Sequence, residues 1–111
     1  MKAHKTAAEL LKCAKNIAKR GWCQGAYART KGGRETTVDS KSAAKFCMIG
    51  SLERCSGGLS GPRYKAAYRL LSRVCPSGAI ATFNDAPGRK KQEVLVKYDE
   101  AIKLAKSKTP A

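Results

Sequence analysis

Five cysteines, Cys13, Cys23, Cys47, Cys55 and Cys75, are the side chains best suited to covalent or metal chemistry in this 111-residue chain. A thiol beside a carboxylate such as Asp85 resembles half of a nucleophilic site. A thiolate, however, needs a base or cation to lower its pKa. The only histidine, His4, falls in the segment before the first expected helix and is poorly placed for that role. Zinc fares no better. Structural sites use ligand pairs at C-x2-4-C spacing, whereas the closest pair, Cys47 and Cys55, is about two turns apart on one expected helix. The run Gly57-Gly58-Leu59-Ser60-Gly61 is followed by no Gly-Lys-Ser/Thr, so it is a helix connection and not a P-loop. No catalytic residue, metal or cofactor is therefore assigned. An odd cysteine count without C-x-x-C argues against a secreted disulfide framework and fits reduced thiols in a cytosol.

The second kind of chemistry is ionic. Twenty-three Lys and Arg face eight Asp and Glu, leaving a formal charge of +15. Such an excess repels itself in a compact state and is the footprint of a protein that meets a polyanion. Lys65, Arg69 and Arg73 recur at i, i+4 and i+8, with Arg63 nearby, and no acid stands between Arg54 and Asp85. Lys12, Lys15 and Lys19 form a similar stripe near the N-terminus. Arg29, Lys31 and Arg34 flank Gly32-Gly33, where the backbone can approach a phosphate. This is phosphate-type chemistry; base readout in a groove needs a different set of side chains.

The elements that carry these groups follow from periodicity. Thr6-Ala7-Ala8-Glu9 is a capping box, and Leu10, Cys13, Ala14, Ile17 and Ala18 repeat at helical spacing. A first helix over Ala7–Arg20 is expected, with Gly21 as its left-handed stop. Glu35 to Val38 is rich in β-favouring residues, so a short hairpin or ordered loop should follow. Asp39 or Ser40 would cap a second helix running to Cys55. Pro62 opens a third, lined by Tyr64, Ala67, Leu70, Leu71 and Val74. Ile80–Phe83 reads as an extended segment. Val94, Leu95, Tyr98, Ala101, Ile102 and Ala105 line the last helix. The expected fold is mostly α, a small bundle of about four helices. It forms a single domain over residues 1–111, ordered from 6 to 106 and flexible at 1–5 and 107–111. No run approaches the ~18 apolar residues of a membrane span.

Three motifs in this order are distinctive: Gly21-Trp22-Cys23-Gln24-Gly25-Ala26-Tyr27-Ala28-Arg29, Phe46-Cys47 with Gly50, and Asn84-Asp85-Ala86-Pro87-Gly88-Arg89. Together they resemble a family of small uncharacterised bacterial and bacteriophage proteins, a domain of unknown function. The resemblance covers most of the chain and implies no activity. Phe83 stands where that family usually has Trp, and Lys90 where it often has Thr, which weakens a second capping box with Glu93. The resemblance implies that Trp22, Cys23, Cys47, Phe83, Asn84 and Asp85 converge on one pocket. Each of these residue types also has an architectural use. Trp anchors a core, buried Cys acts as a small hydrophobe, and Asp before Pro-Gly makes a turn.

The function expected from these readings is a non-enzymatic basic protein of the cytoplasm (the bacterial host cytosol if phage-encoded) that contacts nucleic acid or another polyanion. The alternatives are a protein-interaction module for an acidic host protein and, more weakly, a cysteine-dependent enzyme. No membrane partner is expected, and the sequence leaves the oligomeric state open.

Overall fold

The computed structural model describes residues 6–58 and 61–107. His4, the middle of the glycine run and both expected flexible ends other than Ser107 lie outside those residues. In chain order the elements are α1 (Ala7–Arg20), β1 (Ala28–Thr30), β2 (Glu35–Thr36), β3 (Ala43–Phe46), α2 (Met48–Ser56), α3 (Pro62–Val74), a 3-10 turn (Pro76–Gly78), α4 (Ile80–Asp85) and α5 (Lys91–Ser107). The described residues are thus mostly helical, with five α-helices beside a three-stranded antiparallel sheet.

Helix α1 has the expected bounds. The Thr6 hydroxyl accepts from the Glu9 amide at 3.1 Å, a cap that satisfies one of the helix's orphan donors. Leu10, Leu11, Ala14 and Ala18 face inward and meet Met48 and Leu52 of α2, Ala67 and Leu71 of α3, and Val94 and Tyr98 of α5 in the principal core. A smaller cluster, Ala28, Val38 and Phe46, sits under the sheet.

Four expectations need correcting. Gly21 is not a left-handed stop: its φ is −164°, and glycine is required because a Cβ would collide with the Ala44 carbonyl of β3. The second helix does not start at Asp39 or Ser40. Ala43–Phe46 pairs with β1, Ala28 facing Phe46, and the sheet order is β2-β1-β3. Tertiary pairing overrides the helix preference of Ala43-Ala44, and the cap passes to Cys47, whose sulfur accepts from the Gly50 amide. Ile80–Phe83 is not extended but belongs to α4, making five helices and not four. Ser107 is the last residue of α5, and its hydroxyl donates to the Leu104 carbonyl.

The thiols are not all reduced. Cys13 of α1 and Cys55 of α2 form a disulfide across the helix contact, with Cα atoms 6.1 Å apart. Cys23, Cys47 and Cys75 are free and buried. Spacing along the chain could not reveal a bond made by two faces that meet only in the fold.

Candidate functional site

Two regions gather the residues singled out above. The first is built on α4. Its Asn84 is 1% exposed, and its side chain uses its full hydrogen-bonding capacity. The Oδ1 accepts from Trp22 Nε1 at 2.7 Å and from the Met48 amide at 3.0 Å. The Nδ2 donates to the Cys23 carbonyl at 3.1 Å and to Asp85 Oδ1 at 2.8 Å. Two lone pairs and two N–H groups are all an amide has, so nothing is left to offer a ligand. Asp85 Oδ1 also takes the Gly25 amide, and Gln24 Nε2 reaches the carbonyls of Asn84 and Ala86. The loop after α1 is thereby tied to α4, and α4 to the first turn of α2.

Trp22, Cys23, Asn84 and Asp85 therefore do come together, with Cys47 in the same cleft wall as Asn84 and Asp85, whereas the Phe83 ring lies apart under Arg89 and Lys97. A cleft of about 290 Å³ lies beside them, lined by Tyr27, Glu35, Cys47, Asn84 and Asp85 among others. Its thiols are poorly set for attack. Burial pushes the Cys23 thiol up to about 11, with the neighbouring Cys47 adding to the shift and Arg29 only partly opposing it. Burial also raises Cys47, outweighing the Gly50 amide that favours its thiolate. The site thus holds protonated thiols at neutral pH. Among the described residues no group of His, Cys, Asp and Glu is placed to hold a metal ion.

The second region is cationic and centres on α3. That helix packs against α5, α1 and α2 through Tyr64, Ala67, Leu70 and Leu71. The opposite side leaves Lys65, Arg69 and Arg73 exposed, and Arg63 is exposed in the helix's first turn. Among the described residues their side chains make no hydrogen bond or ion pair. Arg69 stands between two clefts. One, of about 370 Å³, is lined by Tyr64, Lys65, Tyr68, Arg69 and Ser72. The other, of about 480 Å³, lies where α3 meets the start of α1 and the end of α5, with Arg69, Arg73 and Lys106 on its rim and Ala7, Ala66 and Leu70 among its walls. Lys12 reaches Lys106, and their side-chain hydrogen bond, followed by like-charge repulsion, lowers the Lys106 pKa, so α1 adds a basic group beside that second cleft.

The remaining predicted cations divide. Arg29 is committed to the fold: Nε and one terminal nitrogen donate to the Gln24 carbonyl, and the other terminal nitrogen donates to Gly33. Lys15 is paired with Asp99 of α5. Lys19 is exposed on the last turn of α1. Lys31 and Arg34 are exposed at the tip of the β1–β2 hairpin, on an element separate from α3. Sequence reasoning missed Lys106 as a companion of the stripe, because α3 and α5 meet only in the fold. It also missed Gln24 and Gly25 in the Asn84 network, although both lie inside the motif it quoted.

This arrangement, apart from residues 105–107 of α5 and with them Lys106, falls within the region that matches a family of unknown function (DUF6197), residues 1–104. The chain belongs to that family. No curated protein and no solved structure matches it. Among the described residues no helix is long and apolar enough to cross a membrane.

Proposed function

We propose that this DUF6197 protein is a non-enzymatic nucleic-acid-binding protein whose α3 face takes the phosphates. One observation carries the reading: four cations on a helix without an acid are exposed and unpaired. Like charges at i, i+4 cost an isolated helix a few tenths of a kcal/mol per pair, a cost that a polyanion reverses. Lys106 and Lys12 extend the cationic surface, and Lys19, Lys31 and Arg34 add charge at its margins. Arg29 and Lys15 drop out because the Arg29 donors are taken by the Gln24 and Gly33 carbonyls and Lys15 is paired with Asp99. The absence of catalysis belongs to the same proposal and is supported by the raised thiol pKa values at Cys23 and Cys47. A cytoplasmic setting goes with it, the bacterial host cytosol if the protein is phage-encoded. The Cys13–Cys55 bond removes reduced thiols as an argument for that setting, since disulfides are rare in the cytosol.

Anisotropy with labelled mixed-sequence DNA and RNA tests the reading. Three phosphate contacts predict that affinity falls about 20- to 40-fold between roughly 50 and 200 mM salt. Replacing Lys65, Arg69 and Arg73 together by Ala should remove most of the binding. No binding at low salt would overturn the proposal. A second reading, a module for an acidic host protein, draws on Tyr68, an exposed ring amid the cations. Capture of one defined acidic partner, with no nucleic acid bound, would favour it instead.

A further inference from the structure

We propose that the nucleic acid seated on α3 is single-stranded, its phosphates following Lys65, Arg69 and Arg73 while a base stacks on Tyr68. The inference rests on the phosphate-binding reading and adds to it the physical form of the ligand. Tyr68 is 36% exposed and is held by Tyr64, the ring centroids lying 5.9 Å apart at a 44° tilt. Tyr64 itself is buried, so Tyr68 rests against an anchored ring while staying partly exposed. Lys65 and Arg69, each one residue beyond a tyrosine, border the cleft that these rings line. Successive cations of the stripe are about 6 Å apart along the helix axis, close to the spacing of phosphates along an unstacked strand. A duplex keeps its base faces stacked inside and can offer Tyr68 none of them. Cations that track a backbone beside an aromatic platform are how single strands are held without sequence preference. The cleft beyond Arg69, rimmed by Arg73 and Lys106, gives the strand a continuation.

The test compares an unstructured thymidine oligonucleotide with a duplex of equal phosphate count, using the full chain at fixed salt. The strand should bind about tenfold tighter or better, and Tyr68→Ala should weaken it by about tenfold. Tyr68→Ala should leave the duplex unchanged, and Tyr68→Phe should retain strand affinity. Circular dichroism and duplex affinity show whether the alanine variant remains folded. Equal affinity for strand and duplex, indifferent to Tyr68→Ala but steeply salt-dependent, overturns the stacking inference and leaves the phosphate reading standing. Displacement of the strand by polyglutamate as readily as by thymidine oligonucleotide also overturns it, since the ring would then be reading no base. No binding to either nucleic acid at low salt overturns both.

Discussion

The Asn84 network and the α3 face are both polar, and they differ in where their polar groups are satisfied. Around Asn84 every side-chain donor and acceptor of the amide is matched within the chain, four bonds linking Trp22, Met48, Cys23 and Asp85. On α3, four cations reach solvent with no partner among the described residues. A buried polar group must be matched internally or it costs the fold its desolvation. An exposed charge carries no such obligation. The motif that looks most like an active site accordingly ties the fold together, and under the proposed reading the plainer helix is the one that binds.

Removing Asn84 should break this contrast most severely. Asn84→Ala strands the Met48 amide, the Cys23 carbonyl and the Trp22 indole N–H, each worth about 1–3 kcal/mol when left unmatched. A loss of about 4 kcal/mol or more is expected in urea unfolding. A small loss of stability accompanied by lost nucleic-acid binding would mean that the network is a site after all.

The Cys13–Cys55 bond is the covalent part of the same framework, closing a separation of 42 residues between α1 and α2. Restricting the unfolded chain over such a loop is worth about 3–4 kcal/mol in the loop-entropy account. Replacing both cysteines by Ala should lower stability by that amount. Strand affinity at a temperature where the variant stays folded should hardly change.

Alkaline pH offers a milder probe of the scaffold. The Cys23 thiol lies at about 11 in the fold against 9.0 ordinarily, so the fold favours its protonated form. That stabilisation is complete below pH 9 and is lost as pH rises towards 11. Burial of Tyr98, whose hydroxyl donates to the Met48 carbonyl at 2.8 Å, pushes its pKa in the same direction. Urea midpoints should therefore hold through neutral pH and fall between pH 9 and 11. Alkylation of native Cys23 at pH 7 should be slow. Rapid labelling of Cys23 or Cys47 at that pH would revive a cysteine enzyme.

How much of this was legible depends on the range of the signal. Helix α1 and its Thr6 cap, Pro62 opening α3 and the α5 stripe were all readable, because their causes lie within a few residues. The α5 start came through in part: Glu93 does reach back to the Lys90 amide at 2.9 Å without a hydroxyl to complete the box. Strand β3 was hidden because Ala43-Ala44 after Asp39-Ser40 resembles a capped helix, and only pairing with Ala28–Thr30 makes it extended. Helix α4 was hidden by its length and by a strand-like Ile-Ala-Thr-Phe. The convergence of Trp22, Cys23, Cys47, Asn84 and Asp85 came from the motifs, but its role depended on counting partners. The disulfide and the Arg73–Lys106 cleft have no local signature at all.

The smallest stability effect sharpens the comparison from the other side. Arg69→Ala with Arg73→Ala deletes two exposed charges that neighbour each other at i, i+4 and pair with no described residue. Removing that repulsion offers a few tenths of a kcal/mol, and Ala is the better helix former. Lost packing of the arginine stems over the clefts offsets part of the gain. Thermal and urea unfolding should place the variant within about 0.5 kcal/mol of the parent, while its affinity for single strands falls at least tenfold and its salt dependence flattens by about two phosphate contacts. A stability loss like that of Asn84→Ala would mean that these arginines are structural, and the proposed division between scaffold and binding face would fail.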